Sequence, residues 1–164
     1  MKSRIAFVFA LALMSVAVFA QGERPGLRKE MEAFYLKWDK AVMGTSLNNV
    51  WAFFHKGYYM VDTDGKRMNY PEFKNMITQY AKSMKMVSTR TRIWNVQLQN
   101  AEAVVWVQNE MVWKEPAGAG KWATKKSTTR WAENLVPGGP HGWLFRSSQQ
   151  LMTNEPWTFK TSGG

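Results

Sequence analysis

The feature that most constrains the fold is the order of patterned segments along the chain. Apolar residues recur at helical spacing in three segments of the first half, and two-residue alternation dominates from Val87 onward. The alternating segments are four in number and are joined by short turns containing Asn, Gly or Pro, as is typical of antiparallel strands. Helices first and strands last predict an α+β fold, with three N-terminal helices packed on a strongly curved, mostly antiparallel sheet.

The helices have recognisable ends. Pro25 and Pro71 suit the first turns of two helices, and Gly44 suits the end of the first. Gly57 is predicted to end the second helix, which leaves His55 in the last turn, where a cation suits the helix dipole. The three predicted helices cover residues 24–44, 45–57 and 71–84.

A short hairpin is predicted between the second and third helices. The run YYMVD ends in Asp62, and the next residues contain the turn signal Asp64-Gly65. Two readings of Asp62 follow from this position. An aspartate here can begin the turn, or its carboxyl group can transfer protons at the wall of an apolar pocket, where desolvation would raise its pKa.

The first 20 residues have the pattern of a secretory signal peptide. Lys2 and Arg4 precede an apolar run of 15 residues, and small residues precede the expected cleavage after Ala20. The run is short for a transmembrane helix, so no stable membrane anchor is expected after cleavage. The predicted organisation is a signal peptide at 1–20, a single domain at 21–152 and an irregular tail at 153–164. Because cysteine is absent, a bacterial periplasmic or secreted location is favoured.

The chain is strongly basic, with 22 Lys and Arg against 12 Asp and Glu. This balance favours anionic partners, although it also suits plain solubility. Arg90 and Arg92 share one strand face, and Lys126 and Arg130 share another. Neighbouring strands would join them into a basic patch. No nucleic-acid-binding motif is present, so nucleic acid is not expected as a partner.

Three stretches together resemble a known family. They are SLNNVWAFFHKGYYMVDTDGKRMNYPEF, AEAVVWVQNEMVW and TRWAENLVPGGPHGWLF. In order and spacing they are similar to the nuclear transport factor 2-like superfamily, which includes SnoaL-like polyketide cyclases, ketosteroid isomerase and scytalone dehydratase. The resemblance implies a cone-like α+β barrel, open at one end, with an apolar pocket that takes a small ligand.

The resemblance implies that Asp62 corresponds to a general base, but the residues that would work with this base are absent from the sequence. Asp62 lies three residues before Gly65, where ketosteroid isomerase has its general base. The isomerase tyrosine of the first helix falls at Trp38, and its acid in the penultimate strand falls at Ser127. The resemblance therefore does not imply steroid isomerase activity.

The last strand also differs from the family pattern, because it too lacks expected acid–base residues. Many relatives carry histidines four and six residues beyond the tryptophan that corresponds to Trp143. Here these positions hold Ser147 and Gln149, which two-residue alternation places on one face with Trp143 and Phe145. Hydrogen-bonding groups thus replace acid–base groups, which favours binding over catalysis.

The candidate site residues follow from these comparisons. Asp62 is the candidate catalytic residue. His55 and His141 have no further His or Cys at ligand spacing, so no metal and no cofactor are expected, and His141 is predicted to face solvent from a loop. The candidate ligand-binding residues are Tyr35, Trp38, Tyr59, Trp106, Ser127, Phe145, Ser147 and Gln149.

The nine tryptophans are interpreted mainly as core residues rather than as ligand-stacking residues. Alternation predicts that Trp94 and Trp113 face the core. Trp122, next to a loop, and Trp157, in the tail, are predicted to be exposed.

Three hypotheses for the function follow. The first is an exported domain that binds a small, partly apolar or anionic ligand. The second is a SnoaL-like lyase or isomerase with Asp62 as general base, in which Tyr35, Tyr59, Ser127 or Gln149 orients the substrate. The third is an interaction module without catalysis. A homodimer formed through the sheet face is expected for all three.

Overall fold

The computed structural model describes residues 24–153. The predicted signal peptide at 1–20 and the predicted tail beyond residue 153 lie outside this part of the chain, and Trp157 lies there too. The helices and strands, in chain order, are α1 (Leu27–Met43), α2 (Leu47–Trp51), β1 (Phe54–Val61), β2 (Arg67–Asn69), α3 (Tyr70–Ser83), β3 (Lys85–Gln99), β4 (Glu102–Pro116), β5 (Trp122–Pro137) and β6 (Trp143–Leu151).

One six-stranded sheet in the order β2-β1-β6-β5-β4-β3 carries the helices. The pairing of β1 with β6 is parallel, and every other pairing is antiparallel. The sheet is mixed and does not close on itself. The predicted α+β class, with helices at the N-terminus and a mostly antiparallel sheet, is confirmed.

The second helix is shorter than predicted. It ends at Trp51 rather than Gly57, and β1 already begins at Phe54. The N–H of Phe145 donates to the carbonyl oxygen of Phe53 at 2.8 Å, and Phe54 pairs with Phe145. Because this pairing with β6 satisfies backbone groups that a helix would otherwise use, tertiary structure overrides the local helical pattern. The prediction for His55 is therefore wrong, since it lies in a strand, where its Nδ1 accepts from Gly57 N–H.

An aromatic cluster fills the space between α1 and the sheet. The ring centroids of Phe34 lie 5.3 Å from Phe53 and 5.1 Å from Phe145, both edge-to-face. Trp38 extends the cluster, with its ring 5.2 Å from that of Phe145. Edge-to-face pairs of this kind add to the free energy of apolar burial. Aromatic side chains thus fill the space between α1 and β6.

The third helix is fixed at its start by a reciprocal cap. Asn69 Oδ1 accepts from the backbone N–H of Glu72 at 3.1 Å, and Glu72 Oε2 accepts from the backbone N–H of Asn69 at 2.8 Å. Both atoms thereby satisfy helix N–H groups that lack intrahelical partners. The short β2 strand consequently leads directly into α3, which packs beside β1.

Candidate functional site

The C-terminal half of α1 is fixed to the edge of the sheet by one aspartate. Asp39 Oδ2 accepts from the backbone N–H of Thr91 at 2.9 Å, and Asp39 Oδ1 accepts from its hydroxyl at 2.7 Å. Asn109 donates to the hydroxyls of both Thr89 and Thr91. This network shows that Thr91 faces α1, and Thr89 shares its face by alternation.

An open groove lies between this half of α1 and the distal ends of β3, β4 and β5, with a volume of about 1020 Å³. Thr89 pairs with Met111 and Met111 with Ser127, so these three side chains share the face towards α1 and form the floor. Leu36 and Met43 of α1 stand at the other wall and are 59% and 41% exposed. The groove therefore combines apolar side chains with hydroxyl groups, as ligand sites commonly do.

A narrower recess of about 380 Å³ continues from the groove. It shares Leu36, Asp39 and Arg90 with the groove. Its inner wall includes Tyr35 and Ile93, which belong to the buried core and its margin. A molecule in the groove would therefore reach the edge of the Tyr35 ring.

A polar cluster lies directly behind that ring. The Tyr35 hydroxyl donates to Glu133 Oε2, and the Ser148 hydroxyl donates to Glu133 Oε1 at 3.3 Å. Tyr58 hydrogen-bonds to Ser148 in turn. Tyr35 and Ser148 are buried, while Glu133 keeps partial exposure. The result is a chain of hydroxyls around one carboxyl group in an otherwise apolar interior.

Burial is the main cause of the pKa shifts in this cluster. Desolvation raises the pKa of Glu133 to about 7, although the hydrogen bonds from Tyr35 and Ser148 oppose the shift. Desolvation likewise raises the pKa of Tyr35 and of Tyr58, and the nearby Glu133 carboxylate reinforces both shifts. Near neutral pH the Glu133 carboxyl group therefore exists in both protonation states, while both tyrosines stay protonated.

The sequence reasoning missed Glu133, although a signal was present. Glu133 alternates with Trp131 and Leu135, two residues that pack in or against the core. Period-two alternation therefore placed the carboxyl group inward.

The predicted face of the last strand is wrong from Ser147 onward. Phe145 pairs with Leu135, but Ser147 pairs with Asn134, so β6 contains one extra residue at this point. A bulge of this kind turns all following side chains to the opposite face. The inward residues are Ser148 and Gln150, and the predicted pair, Ser147 and Gln149, lies on the outer face.

Asp62 holds the hairpin turn. Its Oδ1 accepts from the backbone N–H groups of Asp64 at 3.0 Å and Lys66 at 2.8 Å. Its backbone also pairs with Lys66 and Gly65. The residue lies beyond the last paired position of β1 and lines neither the groove nor the recess. This geometry corresponds to an aspartate turn.

The other candidate ligand residues separate into two groups. Trp38 and Phe145 belong to the aromatic cluster. Trp106 alternates with the buried Val105 and Val107 and so lies on the outer face. Tyr59 pairs with Ser147 on the same face. The Arg67 guanidinium lies 3.8 Å from the centroid of the Tyr59 ring. Of the eight candidates, only Tyr35 and Ser127 line the groove or the recess.

Two further predictions differ from the structure, and one agrees with it. His141 is partly buried because its ring stacks on Phe53 with centroids 4.1 Å apart, and desolvation lowers its pKa. Trp94 is 48% exposed rather than in the core, since register shifts interrupt alternation in β3 next to it. Trp122 is 44% exposed, as predicted.

Within residues 24–153, no group of three His, Asp or Glu side chains is arranged to hold a metal ion. The described helices also lack the length and apolar character that a bilayer crossing requires.

Comparison with solved structures identifies the fold. No protein-family model and no curated protein sequence matches the chain. Solved structures do: a conserved protein from Planctomyces limnophilus aligns with a TM-score of 0.65 at 8% identity, covering 77% of this chain and 95% of that one.

Two other solved structures agree with this match. A nuclear transport factor 2-like protein from Cytophaga hutchinsonii aligns with a TM-score of 0.58 at 10% identity, covering 76% of this chain and 96% of that one. A ketosteroid isomerase-like protein from Erwinia carotovora aligns with a TM-score of 0.57 at 12% identity, covering 76% and 95%. The chain therefore has the nuclear transport factor 2-like fold.

Proposed function

We propose that this protein binds a small, partly apolar ligand in the groove between α1 and the distal ends of β3, β4 and β5. The observation that carries the proposal is the groove itself, in which exposed Leu36 and Met43 face a floor of Thr89, Met111 and Ser127. Its volume of about 1020 Å³ suits a small organic molecule. Apolar contacts would provide affinity, and the floor hydroxyls would orient a polar edge of the ligand.

An acidic group on the ligand is favoured by the charge of the wall. Lys40 lines the groove and is exposed, whereas the neighbouring Asp39 carboxylate is engaged by both donors of Thr91. Without Lys2 and Arg4 of the proposed signal peptide, the chain still has 20 Lys and Arg against 12 Asp and Glu, an excess that would further increase the encounter rate with anions. An aromatic or aliphatic acid is therefore the ligand class that we propose.

Filling the floor of the groove tests the proposal. We expect Ser127→Phe to weaken binding of anilinonaphthalene sulfonate, an apolar anionic probe, by at least about tenfold, because the new ring occupies the ligand volume. Equilibrium dialysis gives the dissociation constant. Native mass spectrometry of the purified protein would show whether a small molecule is retained and whether Ser127→Phe loses it.

Thr124→Phe is the matched control, because Thr124 is an exposed residue of the same strand that alternation places on the other face, and it does not line the groove. We expect this variant to bind the probe as the parent does. Equal affinity of the parent and Ser127→Phe, with both folded by circular dichroism, would refute the groove as the binding site.

The second candidate function is proton transfer by a lyase or isomerase. The observation that favours it is the Glu133 carboxyl group, which is held by Tyr35 and Ser148 in an apolar interior and has a pKa of about 7. A group that exchanges a proton near neutral pH suits general acid–base catalysis, and a neutral acid beside a tyrosine can stabilise a developing oxyanion. The turn geometry of Asp62 supports a structural role for that residue instead.

Substitution at Asp62 separates the structural role from the catalytic one. We expect Asp62→Ala to lower the free energy of unfolding by about 1–2 kcal/mol, because two backbone N–H groups lose their acceptor. Asp62→Asn should retain most of the stability, since its amide oxygen can accept the same bonds. Urea denaturation measures both variants. Full stability of Asp62→Ala would contradict the turn role.

We also propose that the protein is exported and that it forms a homodimer. The pattern of residues 1–20 supports export, with cleavage after Ala20 and a periplasmic or secreted mature protein. A homodimer through the sheet face would have to use the half formed by β6 and β1, because the other half is strongly basic. N-terminal sequencing and the solution mass of the mature protein test these two points.

A further inference from the structure

The outer face of β3, β4 and β5, on the side away from α1, carries a dense set of basic side chains. Strand pairing places them in four successive rows: Lys85 with Lys114, Ser88 with Val112 and Lys126, Arg90 with Glu110 and Thr128, and Arg92 with Gln108 and Arg130. We call this surface the basic face. Its basic residues are Lys85, Arg90, Arg92, Lys114, Lys126 and Arg130.

The four rows contain more basic residues than carboxylates. Glu110 is the one carboxylate in the four rows, and it lies 3.6 Å from Arg92 Nε. Lys85 and Lys114 are directly opposite each other, an arrangement that disfavours strand pairing. Neighbouring strands lie about 4.8 Å apart and alternate residues about 7 Å apart, so the charges are closely spaced.

Protection of the sheet edge does not account for the pattern. Charged residues on an edge strand prevent edge-to-edge aggregation, which would explain Arg90 and Arg92 of β3. Lys114 and Lys126, however, are exposed and lie on β4 and β5, which have neighbours on both sides. These interior strands need no edge protection, so their basic residues point to an external anionic surface.

An exposed tryptophan accompanies the charges. Trp122 pairs with Pro116 at the end of the basic face and is 44% exposed, and Lys85 Nζ lies 4.3 Å from its ring centroid. Tryptophan beside lysine and arginine is the combination that favours a membrane–water interface, where the ring enters the headgroup region.

We infer that the basic face docks on a bilayer surface that carries anionic phosphate headgroups. Charge complementarity supplies the attraction, and the exposed ring of Trp122 supplies a contact that a soluble anion would leave in water. A second copy of the chain is a poor occupant, because two such faces would repel each other. Arg90 and Lys126 also line the groove, whereas Lys85, Arg92 and Lys114 do not, so the last three test this inference separately from the groove and its ligand.

Vesicle binding of the mature chain tests the inference. Sedimentation with vesicles of phosphatidylglycerol and phosphatidylcholine in equal parts is compared with pure phosphatidylcholine vesicles. We expect binding to the anionic vesicles only, and its loss at high salt. The double variant Lys85→Gln, Lys114→Gln changes two exposed residues of the basic face that do not line the groove. It should bind about 25-fold more weakly, at about fivefold for each basic side chain removed.

The matched control removes two basic charges from the helices. Lys29 and Lys82 are exposed on α1 and α3, so Lys29→Gln, Lys82→Gln changes the net charge equally without changing the basic face. We expect this pair to bind the anionic vesicles as the parent does. Trp122→Ala should weaken binding to the anionic vesicles at low salt, because the apolar contact of its exposed ring is lost.

Several results would overturn the inference. These are equal losses in both double variants, no binding to anionic vesicles, or binding to inorganic polyphosphate alone with the same dependence on Lys85 and Lys114. A dimer whose mass is halved by Lys85→Gln, Lys114→Gln would also overturn it, because the face would then be a contact between copies.

Discussion

Phe34→Ala is expected to lower the free energy of unfolding by about 3–5 kcal/mol, the cost of removing a fully buried aromatic ring and leaving a cavity. Phe34 is 1% exposed and lies at the centre of the aromatic cluster. It makes edge-to-face contacts with Tyr35, Phe53 and Phe145, so α1, the turn before β1 and β6 lose a shared partner. A loss of this size is a large fraction of the stability of an ordinary domain.

Urea denaturation followed by circular dichroism measures the effect. Leu36→Ala is the matched control, since Leu36 lies two residues away on the same helix and is 59% exposed. It should change the free energy of unfolding by no more than about 0.5 kcal/mol. If both variants lose the same amount, or Phe34→Ala loses less than about 1 kcal/mol, the aromatic cluster is not the centre of stability that its packing indicates.

The general architecture was readable from the sequence because periodicity encodes which faces are buried. Leu27, Met31 and Phe34 are spaced for a helix and are all buried, and the four long strands appear where alternation predicts them. The boundary between α2 and β1 was not readable. The segment containing Phe53 and Phe54 has a helical pattern, and only pairing with Phe145, distant in sequence, makes it a strand.

The candidate site was predicted less well, for two physical reasons. The extra residue in β6 leaves no signal in the alternation, yet it exchanges the inward pair Ser147 and Gln149 for Ser148 and Gln150. Glu133 was an inward position by alternation, but its significance depends on Tyr35 from a helix almost a hundred residues earlier in the chain. Asp62 is the opposite case, because the local turn motif alone accounts for the hydrogen bonds that its carboxylate accepts.

Glu133→Gln is expected to remove a pH dependence of stability. The pKa of Glu133 is about 7 in the folded protein, against 4.5 as its ordinary value. Between these two values the folded state holds a proton that the unfolded state has released. The free energy of unfolding therefore falls as the pH rises from about 4.5 to about 7 and stays level above that range. Because the side chain keeps partial exposure, we expect the fall to be about 2–3 kcal/mol.

The glutamine variant should match the parent below about pH 4.5 and exceed it by a similar 2–3 kcal/mol above about pH 7, because it never places an anion in the interior. Its amide oxygen can accept from Tyr35, and its amide group can donate to the Ser148 hydroxyl. Urea denaturation across this pH range gives the difference curve. Glu32→Gln, which removes an exposed carboxylate from α1, should run parallel to the parent. If Glu133→Gln also runs parallel, then Glu133 releases its proton at the same pH in both states, and the case for proton transfer at this cluster is lost.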